Sequence, residues 1–199
     1  MRAVAVLGAD YIGMKPTMAV REGDRVKRGD LLFSCKKTEG VLYTAPAAGT
    51  IAAINRGAKR ALQSVVIEVD GDDAVDFGAH SPDAARALSR DAVRETLVQS
   101  GQWTALRTRP YSKVPAVDHQ PAAIFVTAID TQPLAADPAV VISEHRDAFV
   151  LGLDVLAGQC DGPTFLCTAP GADIPDATSS AVRREEFAGP HPAGLAGTH

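Results

Sequence analysis

Hydrophobic residues in the first third of the chain come in short runs of Val, Ile and Leu, separated by Gly-Asp, proline and Asn-Arg-Gly turns. Because the runs are short and recur roughly every ten residues, they predict strands rather than helices. The predicted strands are Ala3–Leu7, Thr17–Val20, Leu31–Cys35, Val41–Thr44, Gly49–Ile54 and Ser64–Val69. This pattern is typical of a small all-β sandwich or barrel, which we assign to residues 1–70.

The pattern changes after residue 70. An acidic, turn-rich stretch predicts a linker over residues 71–90, in which Ser81 caps a short helix that begins at Pro82. Residues 91–199 then alternate between helical stripes and buried apolar runs. The predicted elements are helix Asp91–Ser100, strand Ala122–Ala128, helix Ser143–Gly158 with Ser143 as its cap, strand Thr164–Thr168 and strand Ala181–Phe187. Strand, helix and strand in this order predict an α/β domain with a parallel sheet.

Length and composition are those of a foldable protein with one large or two small domains: 199 residues, 22% of them charged. No apolar run is long enough to span a bilayer, and the first residues are too short a run for a signal peptide. These features predict a cytoplasmic protein. The chain opens directly into a strand and closes in a glycine- and proline-rich loop, so we expect it to be a piece of a longer protein.

Charge is distributed unevenly along the chain. Residues 1–60 contain 11 Lys and Arg against 5 Asp and Glu, whereas the remainder contains 9 against 19. A basic region of this kind favours an acidic partner or an anionic membrane surface, although a solvated basic face is an equal alternative. Arg56, Lys59 and Arg60 lie in one turn and are the candidates for such docking. Nucleic acid is not expected, because neither a helix-turn-helix pattern nor an aromatic RNA-binding run is present.

The three cysteines, Cys35, Cys160 and Cys167, form no Cys-x-x-Cys pair and have apolar neighbours. Their spacing predicts buried reduced thiols and argues against an iron–sulfur cluster or a structural zinc site. We therefore expect no metal ligands in this chain.

Two segments share a turn pattern: Glu22–Phe33, with two Gly-Asp pairs, and Ala45–Ile51, with Ala-Pro and a later glycine. They resemble the biotinyl/lipoyl carrier domains and their barrel-sandwich hybrid relatives. In those carriers a lysine on a hairpin bears the cofactor, and Lys36 and Lys37 lie near that place. Their neighbours lack both carrier signatures, so a carrier modified on Lys36 or Lys37 is an alternative and not the main hypothesis.

Five stretches of sequence carry a second resemblance, which covers nearly the whole chain. They are Gly8–Met18, Ile54–Ile67, Arg107–Pro115, Ile124–Asp137 and Gly189–Gly194. In this order they resemble the family of A-type subunits of the sodium-translocating NADH:quinone reductase. The resemblance implies a peripheral subunit on the cytoplasmic face of the bacterial inner membrane, in a complex that passes electrons from NADH to ubiquinone and transports sodium. It also implies an α/β domain related to the flavin-binding subunit of complex I and to the C-type subunit of Rnf-like complexes, the latter being an alternative assignment.

The family resemblance implies that NADH oxidation, flavins and the iron–sulfur cluster belong to other subunits. The sequence of this chain agrees with the absence of a cofactor, because binding the phosphate of a flavin or dinucleotide needs a glycine-rich turn between strand and helix. Ile129–Asp137 follows the first buried strand without a glycine, and Ala169–Asp173 follows the second with only one. We therefore predict no redox cofactor bound by this chain, with a flavoenzyme as the competing hypothesis.

One loop combines bases with aromatic residues. Arg107, Arg109 and Lys113 lie beside Trp103 and Tyr111 in sequence. A base next to an aromatic ring can hold a polarised carbonyl against that ring, as binding of a quinone requires. His191, between two prolines, could also donate to a carbonyl. The candidates for quinone contact are thus Trp103, Arg107, Arg109, Lys113 and His191; the alternative is that the bases form interdomain salt bridges and that His191 shapes its loop.

Overall fold

A computed structural model describes residues 2–199 and divides them into two compact units. The first comprises the residues up to Ala79 together with Arg94–His119, and the second comprises His80–Val93 together with Gln120–His199. The chain thus leaves the first unit and returns to it before the second is complete. The division into residues 1–70, 71–90 and 91–199 stays a prediction.

The first unit is built from two antiparallel sheets. Its strands are β1 (Ala3–Leu7), β2 (Pro16–Met18), β3 (Arg25–Val26), β4 (Leu31–Cys35), β5 (Leu42–Thr44), β6 (Gly49–Arg56) and β7 (Leu62–Val69). One sheet has the order β1-β7-β6-β3 and the other β2-β4-β5. The all-β prediction is confirmed, with β3 as an additional short strand that the sequence pattern did not indicate.

Alternating side chains place the core of the first unit between its sheets. Val65 and Ile67 are fully buried, whereas Gln63 and Glu68 on the same strand are exposed. Gly49 begins β6 with a φ of 156°, and a Cβ there would lie 2.0 Å from the Glu68 carbonyl oxygen. Only glycine allows this approach of β6 to β7.

The second unit is an α/β fold. Its elements are α1 (Pro82–Arg86), the start of α2 (Arg90–Gln99), β8 (Ile124–Ala128), α3 (Pro138–Ser143), α4 (Arg146–Ala157), β9 (Thr164–Thr168) and β10 (Val182–Glu186). The three strands form a parallel sheet in the order β10-β9-β8, which confirms the predicted strand–helix–strand unit. Within residues 2–199, none of the helices is long and apolar enough to cross a membrane.

The predicted helix Ser143–Gly158 is wrong at its start. Ser143 is the last residue of α3, and its hydroxyl donates to the Val140 carbonyl oxygen at 2.7 Å instead of capping a helix. The non-helical backbone of His145 separates α3 from α4. Asp137 caps α3 by accepting a hydrogen bond from the Ala139 N–H at 2.9 Å.

Candidate functional site

The loop that carries the predicted quinone-contact bases is a closed turn in the first unit. The Thr108 N–H donates to the Lys113 carbonyl oxygen at 2.8 Å, and the Ser112 N–H donates to the Thr108 carbonyl oxygen at 2.8 Å. Ser112 adopts a left-handed φ of 51° to complete the turn. The two backbone hydrogen bonds close the loop into a turn.

The tip presents an aromatic ring and two cations to solvent. Tyr111 is 71% exposed, and the Lys113 ammonium lies 5.7 Å from the centroid of its ring. Arg109 is also exposed, and its guanidinium has no hydrogen-bond or ion-pair partner in the described part of the chain. A carbonyl compound with a flat ring is a chemical match for this combination.

Arg107 joins this loop to a second one, residues 8–14. Its guanidinium donates to the Leu106 carbonyl oxygen at 3.0 Å and to the Asp10 carbonyl oxygen at 3.4 Å, and also to the Thr104 carbonyl oxygen. Its central carbon lies 5.4 Å from the centroid of the Tyr11 ring. The second loop adds Ile12, which is 55% exposed. Arg107 therefore positions two loops and is itself engaged with backbone oxygens.

Aromatic rings connect these loops to the core. Tyr11 meets Tyr43 edge to face, with ring centroids 4.7 Å apart, and Tyr43 stacks on buried Phe33 at 4.6 Å. Burial raises the pKa of Tyr43 to about 12, so its phenol is neutral at physiological pH. The ring series gives the loop 8–14 a rigid base.

Trp103 and His191 are placed differently from the exposed bases. Trp103 is buried in the core of the first unit, where its indole N–H donates to the Pro115 carbonyl oxygen at 3.0 Å. His191 belongs to the second unit, and its Nδ1 lies 3.1 Å from the Thr131 carbonyl oxygen. A hydrogen bond to this carbonyl oxygen requires the His191 tautomer with its proton on Nδ1. Quinone contact by either residue stays a prediction.

The docking candidates are Arg56, the last residue of β6, and Lys59 and Arg60 in the turn between β6 and β7, and all three are exposed. Lys59 and Arg60 adopt left-handed φ values of 54° and 61°, and the Arg56 guanidinium donates to the Arg60 carbonyl oxygen at 3.2 Å. The turn thus displays three cations on an ordered backbone. Docking through them stays a prediction.

Lys36 and Lys37 are exposed at the tip of the hairpin between β4 and β5. Beneath them, Cys35 is buried. Burial raises the pKa of its thiol, but hydrogen bonds from the backbone of Lys15, Lys37 and Thr38 and from the Thr38 side chain outweigh this effect and lower it. The resemblance to carrier domains places a cofactor-bearing lysine near this hairpin, and modification of Lys36 or Lys37 stays a hypothesis.

In the second unit, a cavity of about 240 Å³ lies at the carboxyl ends of β8 and β9, where α/β folds commonly bind ligands. Its wall includes Ala128, Ile129, Ala169 and Ile174. Asp137, whose carboxylate caps α3, also lines it. Within residues 2–199, His, Cys, Asp and Glu side chains form no group that could hold a metal ion.

Asp154 is not among the residues predicted from the sequence. Its side chain, in α4, is 4% exposed and accepts hydrogen bonds from the Thr178 N–H, the Ser179 N–H and the Arg86 guanidinium, each at 2.9 Å. The Thr178 hydroxyl donates to it as well. Burial raises its pKa, but these bonds outweigh burial and bring the pKa below its ordinary value. An acidic residue between Leu153 and Val155, inside an apolar stretch of helix, was the available signal.

Comparison with known protein families assigns the chain to one of them. Residues 88–199 match the sequence model described as the NqrA second alpha/beta domain. The chain belongs to the NqrA family. Residues 1–70 match the NqrA N-terminal barrel-sandwich hybrid domain, so both predicted folds and the family resemblance are confirmed.

Three NqrA relatives carry the name of the A subunit of Na(+)-translocating NADH-quinone reductase. The one from Shewanella denitrificans is 62% identical over 196 residues, which are 98% of this chain and 44% of that protein. The relative from Alcanivorax borkumensis is 59% identical over 200 residues, 100% of this chain and 45% of its own length. The relative from Neisseria meningitidis is 57% identical over 196 residues, 98% and 44% respectively. The chain thus spans less than half the length of these NqrA relatives.

Proposed function

We propose that this chain is part of a peripheral subunit of a respiratory complex that passes electrons from NADH to ubiquinone and transports sodium. Its membership of the NqrA family and the names of its relatives support this role. We place it on the cytoplasmic face of the bacterial inner membrane. Its exposed cationic turn, Arg56, Lys59 and Arg60, is available there for other subunits or anionic lipid.

Within that role, we propose that the first unit contacts quinone through loops 8–14 and 107–113. The observation that carries the proposal is the exposure of Tyr111, Arg109 and Lys113 on one loop, with Lys113 over the Tyr111 ring and Ile12 exposed on loop 8–14. The cations would donate to a quinone carbonyl, and the Tyr111 ring would pack on the quinone ring. Arg107 would act as a positioning residue, because its donors are already engaged.

We also propose that this chain binds no redox cofactor of its own, with NADH, flavins and the iron–sulfur cluster acting in other subunits. The segment between β8 and α3 has no glycine, and the carboxylate of Asp137 occupies the start of α3. A negative charge at that place disfavours a phosphate. Accordingly, the isolated chain should show no flavin absorbance and no oxidation of NADH.

The test replaces Arg109→Gln and Lys113→Met together in the full-length protein within the assembled complex. Loss of charge-assisted hydrogen bonds worth about 1.5–3 kcal/mol should lower kcat/KM for quinone on the order of 10- to 100-fold. Reduction of the flavins by NADH, followed by stopped-flow absorbance, should keep its wild-type rate. The matched control, Arg21→Gln with Lys27→Met, removes two exposed cations elsewhere in the first unit and should change neither step.

Two results would contradict the quinone proposal. Equal loss of flavin reduction and quinone reduction would show that the bases support the structure of the complex. An unchanged kcat/KM for quinone in the double variant would show that the loop does not contact quinone. Both results would leave the proposed role in the complex standing. That role is tested separately, by asking whether the protein is present in the purified complex.

A further inference from the structure

The second unit exposes large apolar side chains in one short segment, residues 133–141, which we term the apolar segment. Leu134 is 105% exposed, and Val140 and Val141 are 62% and 57% exposed. Surface helices normally place polar residues outward, and valine is a weak helix former. Exposed valines on α3 therefore contribute little to the fold of the isolated chain.

The apolar segment is held firmly from its inner side. Asp137 caps α3, and Ala139 and Ile142 pack against the core that contains Leu153 and Leu166. The Ala135 N–H donates to the Gln132 carbonyl oxygen at 3.1 Å, which closes the turn on which Leu134 stands. The exposed side chains are thus presented on an ordered backbone and not on a loose loop.

A cavity lies directly behind the apolar segment. Its volume is about 240 Å³, and its wall includes Ala128, Ala135, Ala136 and Ala139, with Asp130 and Asp137 also lining it. The small alanine side chains leave room for one large apolar side chain from outside. Exposed apolar side chains next to a cavity are typical of the centre of a protein–protein interface.

The charges around the apolar segment identify the partner's chemistry. Residues 120–145 of the second unit contain no Lys or Arg, and Asp130, Asp137 and Glu144 accompany the segment. The nearest following base, Arg146, is paired with Asp173 at 3.0 and 3.1 Å. An acidic rim repels anionic lipid headgroups and attracts a protein surface rich in Lys and Arg.

We propose that the apolar segment is a docking surface for another protein of the assembly. That partner would insert one large apolar side chain into the cavity and place basic residues opposite Asp130, Asp137 and Glu144. The proposal rests on membership of the reductase complex, as argued under Proposed function, but it does not depend on the quinone contact.

The experiment places the photo-crosslinking residue p-benzoylphenylalanine at position 134 of the full-length protein, in a complex purified through a tag on a different subunit. Because Leu134 is fully exposed, this replacement leaves the fold intact. Leu31, which is 38% exposed in β4 of the first unit, supplies the control position. We expect a cross-link from position 134 to one protein subunit, with at least ten times the yield from position 31.

A cross-link to lipid alone, or a yield no higher than that of position 31, would overturn the docking proposal while the protein is still present in the complex. Absence of the unsubstituted chain from the purified complex would instead refute the proposed function, and the docking surface with it. A second measurement uses Val140→Ser with Val141→Ser, which should reduce retention of the protein in the complex about tenfold without lowering its thermal midpoint. Wild-type retention would also overturn the proposal.

Discussion

The two compact units differ in what they bury. The core of the first unit consists of twelve buried residues, all apolar, aromatic or cysteine, among them Phe33, Ile51 and Trp103. Among the described residues of the second unit, the main apolar cluster has four buried members, including Leu153 and Leu166, and the unit also buries the Asp154 side chain almost completely. Ile129, Cys160 and Cys167 are buried outside that cluster. The second unit thus combines a smaller apolar cluster with a charged network.

This difference predicts how each unit responds to its environment. Burial of apolar area is independent of pH, so the first unit should keep its stability over a wide pH range. The bonds to Asp154 require an ionised carboxylate, which ties the second unit to pH. The substitutions below test that contrast, beginning with the one expected to have the largest effect.

Asp154→Asn should destabilise the second unit by about 2–3 kcal/mol, because a buried carboxylate that accepts four hydrogen bonds is replaced by a neutral amide whose NH₂ faces donors. Hydrogen exchange measured by mass spectrometry should show faster exchange in α4 and β10. Fluorescence of Trp103, the single tryptophan, reports on the first unit and should be unchanged. Equal destabilisation of both units would contradict the view that only the second unit depends on the hydrogen bonds of Asp154.

The pH dependence of stability follows from the direction in which folding shifts the pKa of Asp154. The pKa of Asp154 is lowered in the folded chain by the hydrogen bonds it accepts. Its contribution to stability is therefore complete above the ordinary aspartate value of about 3.9 and is lost as the pH falls through the lower, folded value. Wild type should lose more stability on acidification than Asp154→Asn. The control is Asp161→Asn, which removes an exposed ion pair with Arg90 and should leave the midpoint of unfolding unchanged.

Asp137→Ala should have a smaller effect, about 1 kcal/mol, because it removes one helix cap. The loss should be confined to α3 and the apolar segment, seen as faster hydrogen exchange over residues 138–143. Asp137→Ser restores a capping oxygen and should recover most of the protection. If the serine variant exchanges as fast as the alanine variant, the carboxylate acts through its charge and not as a cap.

The sequence predicted local structure well where the pattern itself is local. β1, β4 and β9 match their predicted bounds residue for residue, because alternation and glycine turns act within a few positions. α3 was missed although Asp137 and Pro138 are a standard helix start. No element is predicted for the apolar run after Pro138, and Ser143 is predicted to cap a single longer helix.

The candidate site depended on contacts that no local pattern contains. The bases of loop 107–113 were found because they stand together in the sequence, but Arg107 reaches the carbonyl oxygen of Asp10, 97 positions away. Burial of Trp103 likewise arises because the chain returns to the first unit after α2 begins. Sequence reasoning could name the side chains, whereas only the fold separates exposed Arg109 from engaged Arg107.

The smallest effect is expected at the hairpin of the first unit. Lys36→Gln and Lys37→Gln remove exposed cations that no described side chain pairs with, so stability and quinone reduction should stay at wild-type values. The same hairpin would bear a cofactor in a carrier domain, which makes the measurement decisive for that alternative. Intact mass of the protein purified from its native host should equal the unmodified mass. An added lipoyl or biotinyl mass that disappears in one of the two variants would establish a carrier role instead, and a loss of quinone reduction in that variant would link the role to electron transfer.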